Sequence, residues 1–188
     1  MAARKVLLYP DPILKQVAAP APTGDELARL EADLVDTMRS FPGCVGLAAP
    51  QIGDLVRIAS VDLTGHKKAP PSVHGLLVLV DPLVTARSGS EVAREGCLSI
   101  PQLTANVRRA TEIEVTDRNG SYSFEGFEAR CVLHELDHLD GLLFLDRVDS
   151  LTTDIFPRKT GAQGGAQGGA QRGGQLGGPS AKRNRPSS

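Results

Sequence analysis

The segment at residues 134–138 reads His-Glu-Leu-Asp-His, and it constrains this chain more than any other part of the sequence. It lies in a stretch with helical spacing of apolar residues, and positions i and i+4 of a helix share one face. His134 and His138 can therefore offer two imidazole nitrogens to one divalent metal ion. Glu135 lies beside that ion, where a carboxylate suits a general base acting on metal-bound water. The segment favours a hydrolytic metal site over a charged helix face.

Length and composition indicate one globular domain. The chain has 188 residues, of which 40% are apolar and 23% charged, which is ordinary for a soluble protein. No apolar run approaches the roughly 18 residues of a membrane span. The first ten residues fit neither a secretory signal nor a transit peptide, because Tyr9 and Pro10 interrupt a short apolar patch. We therefore expect a cytoplasmic protein without a membrane partner.

The C-terminal segment differs from the rest of the chain. Residues 161–188 are rich in Gly, Gln and Ala and contain Leu176 as their one large apolar residue. Such a segment cannot offset its ordering entropy by burial. We expect a catalytic domain over residues 1–160 and a disordered tail with a basic end over residues 161–188. An acidic body with a basic tail gives no footprint for specific DNA binding.

Periodicity predicts helices at both ends of a group of strands. Residues 25–41 have helical apolar spacing, and after Gly126 the spacing is again helical through Leu139. The extended segments between the two helices are residues 55–61, 76–80, 111–116 and 122–127. Asn119-Gly120 indicates a hairpin turn between the last two of these segments. This order of elements predicts an α+β fold.

A catalytic metal site usually takes three protein ligands, so a third one is needed. His66 and His74 lie in a loop-like segment, and we interpret them as surface residues. Cys131 precedes His134 by one turn, but its side chain leans toward the helix N-terminus, which favours a buried apolar cysteine. The acidic residues that closely follow the helix are Asp146, Asp149 and Asp154. Cys97 can equally be a ligand held on a strand edge or a plain buried cysteine.

Three motifs together resemble the signature motifs of the peptide deformylases in order and spacing. They are Gly46-Leu47-Ala48-Ala49-Pro50-Gln51, Glu95-Gly96-Cys97-Leu98-Ser99 and His134-Glu135-Leu136-Asp137-His138. The resemblance covers roughly residues 5–150, and it implies mixed or antiparallel strands packed around a central metal-binding helix. The sequence departs from the family pattern at Cys44, where the first motif usually has glycine, and at Gln102.

The resemblance implies an enzyme that removes the formyl group from the N-terminal formylmethionine of newly synthesised polypeptides and releases formate. It implies a metal bound by Cys97, His134 and His138, with Fe²⁺ expected and Zn²⁺, Ni²⁺ or Co²⁺ able to substitute. It also implies that Glu135 transfers protons, and that the side-chain amide of Gln51 and the backbone N–H of Leu98 stabilise the oxyanion. The partners that it implies are formylmethionyl nascent peptides and, transiently, the ribosome.

Two other classes of protein share part of this pattern. A zincin-type endopeptidase has the same pentapeptide but normally takes its third ligand from the C-terminal side of it. A peptide-binding module would keep the groove without turnover, and the complete set of catalytic residues speaks against that reading.

Overall fold

The computed structural model describes residues 3–70 and 72–158 of the chain. The predicted tail at residues 161–188, and with it the end of the predicted domain, lies outside the described residues. The helices are α1 (Gly24–Ser40) and α2 (Gly126–Leu139). The strands are β1 (Gly46–Ala48), β2 (Ile58–Val61), β3 (Leu77–Val80), β4 (Leu83–Ser88), β5 (Glu91–Cys97), β6 (Ile100–Arg109), β7 (Glu112–Thr116), β8 (Ser121–Glu125) and β9 (Ile155–Pro157).

The strands form three small sheets of three strands each within the described residues. Their orders are β1-β2-β3, β4-β7-β8 and β5-β6-β9, and all neighbouring strands within them are antiparallel. Strands β5 and β6 follow each other in the chain and are joined by a two-residue turn, a connection that antiparallel neighbours allow. The three sheets surround a common interior.

Helix α2 occupies that interior. Its residues Val132 and Leu136 are buried in one apolar cluster with Leu79 of β3 and Val115 of β7. At its C-terminal end Leu139 is fully buried against small alanines, among them Ala48 of β1. Burying a side chain of this size contributes about 1.5–3 kcal/mol. The α+β fold with antiparallel strands around a central helix is confirmed.

Helix α1 covers the first sheet from the outside. Its residues Leu30, Leu34 and Met38 recur at helical spacing and are buried against Ile58 and Val80. The predicted helix over residues 25–41 is confirmed to within one residue at each end. In the part of the chain that the structure describes, no helix is long and apolar enough to cross a membrane.

The strand predictions matched β2 and β3 of the first sheet and β7 and β8 of the second, and they missed the other described strands. The hairpin β7–β8 turns at Asn119-Gly120 as predicted, and Thr116 pairs with Ser121 across it. Strands β1 and β9 have three residues each, too few for a pattern, and polar residues at many positions of β4, β5 and β6 weaken the apolar alternation. Cys97 is the last residue of β5, so its thiol is held at the end of a strand, as one of the two interpretations of the sequence expected.

Candidate metal centre

Helix α2 presents both histidines of the pentapeptide on one face. The ring centroids of His134 and His138 lie 5.1 Å apart, as expected for residues one turn apart. The helix ends at Leu139 with Asp140 as its C-cap, and Gly141 follows with a φ of 69°, which glycine adopts without strain. A Cβ at Gly141 would lie 2.9 Å from the backbone of Lys15, so this glycine also lets the N-terminal segment pass beneath the helix end.

The turn between β5 and β6 brings a thiol to the two histidines. Cys97 pairs with Ile100 across a two-residue turn, and its Sγ lies 3.3 Å from Nε2 of His138. The ligand atoms of Cys97, His134 and His138 lie within 4.8 Å of one another. One thiolate and two imidazoles are a donor set for a divalent transition metal with an open position for water, so the residues present fit such an ion.

The charge state of Cys97 suits metal binding. Burial opposes ionisation of the thiol, but the nearby charge of His138 and hydrogen bonds from both histidines outweigh burial. Together they hold the pKa of Cys97 well below its ordinary value of 9.0. The side chain is therefore a thiolate, which is the form that binds metals.

Glu135 lies beside this ligand set without joining it. Burial raises the pKa of its carboxyl to about 7, against the lowering effect of the two histidines. Its Oε2 atom is buried and has no hydrogen-bond partner among the described residues. A Cβ at Gly46 would lie 2.5 Å from Oε1 of Glu135, so the absence of a side chain on β1 makes room for the carboxylate. The unpartnered oxygen is available to a water molecule or a substrate.

The amide of Gln51 is held in a fixed orientation. Its Oε1 accepts a hydrogen bond from the backbone N–H of Ala48 at 2.9 Å. Its Nε2 donates to Sγ of Cys97 at 3.3 Å and to Oγ of Ser99 at 3.2 Å. The amide nitrogen is thus directed at the ligand set, and only 2% of the residue is exposed.

The backbone N–H of Leu98 is the second oxyanion donor that the resemblance implies. Leu98 follows Cys97 in the turn and lines the same cavity as Gln51 and Glu135. Among the described residues this N–H has no hydrogen-bond acceptor. The structure thus brings together all six predicted site residues.

A buried ion-pair network supports the histidines, and sequence reasoning did not identify it. Nδ1 of His134 lies 3.0 Å from Oε2 of Glu95, which leaves Nε2 of the ring for the metal. Glu95 also accepts hydrogen bonds from Arg109 at 2.9 and 3.0 Å and from Arg130 at 2.8 Å. Burial would raise the pKa of Glu95, but hydrogen bonds from His134 and Arg109 lower it far below its ordinary value.

The network continues along α2. Arg109 donates to Oδ2 of Asp137 at 2.5 Å, and Arg147 donates to both oxygens of the same carboxylate at 3.1 and 2.6 Å. Side chains of Arg109, Glu95 and Asp137 are each exposed by less than a tenth. The charges of Glu95 in the second motif and Asp137 in the third were visible in the sequence, but their burial was not.

Cys97 and His134 line a cavity of about 170 Å³. Its wall includes Val45, Phe127 and Cys131, which give it an apolar part suited to a methionine side chain. Cys44 also lines it, and its Sγ donates to the carbonyl of Gly46 at 3.0 Å. Burial, followed by the charge of Glu135, raises the pKa of Cys44 to about 12, so this thiol is a neutral part of the wall.

The other ligand candidates lie elsewhere. His66 stacks on Phe127, and His74 pairs with Glu128 at 3.0 Å. Cys131 belongs to the apolar cluster around α2. The acidic residues that follow α2 have other partners: Asp146 binds Lys15, Asp149 binds Arg108, and Asp154 binds Asn106 and Ser150. Within the described residues, Cys97, His134 and His138 are the single group arranged for a metal.

Comparison with known proteins agrees with this centre. The family model described as polypeptide deformylase matches residues 3–154. The peptide deformylase of Syntrophobacter fumaroxidans is 41% identical over 165 residues, which cover 85% of this chain and 94% of the relative. The peptide deformylase of Rhizobium meliloti is 41% identical over 169 residues, covering 85% and 92%.

Solved structures of the same family share the fold. A peptide deformylase from Legionella pneumophila superposes with a TM-score of 0.69 at 38% identity, covering 80% of this chain and 88% of the other. A class I type b peptide deformylase from Acinetobacter baumannii, solved with Met-Ala-Ser bound, gives 0.69 at 31% identity, covering 78% and 99%. Because the family model matches most of its length and relatives match it closely, the chain belongs to the polypeptide deformylase family.

Proposed function

We propose that Cys97, His134 and His138 hold one divalent metal ion, and that Glu135, Gln51 and Leu98 act beside it in deformylation. The reaction is hydrolysis of the formyl amide on the N-terminal methionine of newly synthesised polypeptides, with release of formate. The observation that carries the assignment is the grouping of three ligand atoms within 4.8 Å, with a buried and unpartnered carboxylate oxygen next to them. A bound ion of this kind lowers the pKa of water and polarises a carbonyl oxygen.

Glu135 moves the proton in this proposal. Its carboxylate accepts a proton from the attacking water as the new C–O bond forms at the formyl carbon. The same carboxyl then donates that proton to the amine nitrogen as the C–N bond breaks. Its pKa of about 7 lies near neutrality, which lets one group serve as both base and acid there.

Gln51 and Leu98 stabilise the charge that develops on the formyl oxygen. The amide of Gln51 is fixed from its oxygen side by Ala48, and one of the N–H groups that donate to Cys97 and Ser99 turns to the formyl oxygen when substrate binds. The N–H of Leu98 follows the ligand Cys97 directly and has no protein acceptor among the described residues. Two such donors on one oxygen form an oxyanion hole.

The apolar part of the cavity receives the methionine side chain. Its walls include Val45, Phe127 and the neutral thiol of Cys131, and methionine packs well against aromatic rings and sulfur. The Acinetobacter baumannii relative binds Met-Ala-Ser, a peptide that begins with methionine. For this chain we propose that the methionine is buried and that the following residues extend toward the mouth of the cavity.

We propose Fe²⁺ as the physiological ion, with Zn²⁺, Ni²⁺ or Co²⁺ able to replace it. A set of one thiolate and two imidazoles accepts each of these ions, so the choice follows metal availability and not the ligand set. Purification without oxygen, followed by metal analysis, tests this proposal. Iron at about one equivalent is expected, and a stoichiometric content of another metal in place of iron would contradict it.

We also propose that the protein works in the cytoplasm and contacts ribosomes transiently, without specific binding to DNA. The support is the substrate, because formylated chains are present while they are being synthesised. Co-sedimentation with ribosomes at low salt tests the contact, and an unrelated duplex DNA serves as the polyanion control.

The activity itself is tested by formate release from formyl-Met-Ala-Ser, with acetyl-Met-Ala-Ser as the control substrate. We expect turnover of the formyl peptide and little of the acetyl peptide, because Gly46 and Glu135 leave little room beside the ligands. Absence of formate from metal-loaded protein would contradict the proposed function.

A further inference from the structure

Arg158 reaches the metal centre from the far end of the described chain. It follows β9 directly, and its backbone N–H donates to the carbonyl of Gln102 on β6 at 2.8 Å. Its guanidinium Nη2 donates to the carbonyl oxygen of Cys97 at 3.3 Å. The residue also lines the cavity in front of the ligands. It lies beyond residues 3–154, which the family model matches, and no step of the mechanism above uses it.

The contact with Cys97 acts on the predicted donor of the next residue. The carbonyl of Cys97 and the N–H of Leu98 belong to the same peptide unit, which is planar. A hydrogen bond that holds the oxygen therefore also fixes the direction of the N–H on the opposite side of that unit. Leu98 lies in the two-residue turn where the pairing of β5 and β6 ends, beyond the pair Cys97 and Ile100.

The positive charge of the guanidinium also strengthens the Leu98 N–H as a hydrogen-bond donor. A hydrogen bond from a charged donor draws electron density toward the carbonyl oxygen and makes the N–H of the same peptide a better donor. The bond to Cys97 is the side-chain hydrogen bond that the structure gives Arg158 within the described residues. Its Nε is buried and has no hydrogen-bond partner among the described residues.

Local structure makes room for the contact. Gly96 has no side chain, and a Cβ at that position would overlap the guanidinium of Arg158. The pairing of β9 with β6 places Phe156 opposite Thr104 and fixes the backbone from which Arg158 extends. The guanidinium thus passes over β5 at the one residue that leaves space for it.

We infer that Arg158 is a positioning residue of the oxyanion hole, which holds and polarises the peptide between Cys97 and Leu98. The inference rests on the proposed function, in which the Leu98 N–H binds the oxyanion. It assigns a role in the known reaction to a residue outside the family's three motifs.

The test compares Arg158→Gln and Arg158→Lys with the wild type, loaded with Co²⁺. Arg108→Gln is the control, since Arg108 lies on the same sheet, is exposed and pairs with Asp149. For Arg158→Gln we expect kcat for formyl-Met-Ala-Ser to fall about tenfold, with KM within about twofold. The Co²⁺ absorption bands, including those from the thiolate, should not change. Arg158→Lys keeps the charge and should recover part of kcat.

Several results would overturn the inference. They are an unchanged kcat in Arg158→Gln, a loss confined to KM, altered Co²⁺ bands that reveal a displaced Cys97, or no recovery in Arg158→Lys. Failure of the proposed function would look different, because the wild type itself would then release no formate.

Discussion

His134 and Glu95 are joined by a contact of 3.0 Å between Nδ1 of the imidazole and Oε2 of the carboxylate. This contact connects the metal centre with a buried network of arginines and acids. It fixes the ring orientation and the tautomer of His134, so that Nε2 remains for the metal. The ligand geometry therefore depends on residues that do not touch the ion.

Replacing Glu95 by Gln should weaken metal binding. The amide keeps the shape of the side chain but loses the charge that pairs with Arg109 and Arg130 and orients His134. Removing such a supporting carboxylate typically costs about 10–100-fold in metal affinity. Competition with a chelator of known affinity measures the loss. An affinity equal to that of the wild type would show that His134 needs no such partner.

Replacing Arg109 by Met should destabilise the fold. The change leaves Glu95 and Asp137 buried without their shared cation, and breaking a buried pair costs roughly 3–5 kcal/mol. The neighbouring Arg108 provides a matched control, because its pair with Asp149 is exposed and worth at most about 1 kcal/mol. Urea unfolding of both variants with the same metal loaded gives the comparison. Equal losses for the two arginines would refute the role of the buried network.

Replacing Gly46 by Ala should reduce activity without removing the metal. The new Cβ would lie 2.5 Å from Oε1 of Glu135 and must displace that carboxylate. A small displacement of a proton-transfer group costs about 10²-fold in rate. Steady-state kinetics beside metal analysis measures the effect. A kcat close to that of the wild type would mean that Glu135 tolerates the shift.

Replacing Gln51 by Ala should lower kcat by about 10²–10³, the usual effect of losing one oxyanion donor. Metal content should stay at one equivalent, since Gln51 donates to Cys97 but does not belong to the ligand group. Ser99→Ala is the control, because it removes the other partner of the same amide. A kcat loss in Ser99→Ala as large as that in Gln51→Ala would assign the effect to local packing.

The part of the site carried by one helix was predictable from sequence. The spacing of His134, Glu135 and His138 is local, and the helix period through Leu139 is regular. The position of Cys97 was not predictable from chemistry alone, because it depends on the hairpin β5–β6, whose exposed polar residues hide its alternation. The resemblance to the peptide deformylases predicts Cys97 as a ligand, whereas the chemistry of the sequence alone leaves that role open.

Buried charge was the other feature that the sequence did not reveal. Glu95 and Arg109 look like ordinary surface residues in a list of charges, yet each is exposed by less than a tenth. Their burial arises from contacts between β5, β6 and α2, which are distant in the chain. The contact of Arg158 was not predictable for the same reason, since its partner Cys97 is 61 positions away in the chain.

In the proposed mechanism Glu135 transfers the proton at a metal held by Cys97, His134 and His138. The most direct test measures formate release from formyl-Met-Ala-Ser by wild type and Glu135→Gln at equal metal content. The account predicts that Glu135→Gln binds one equivalent of metal and loses at least about 10²-fold in kcat. Full metal content together with a kcat within a few-fold of the wild type would contradict it.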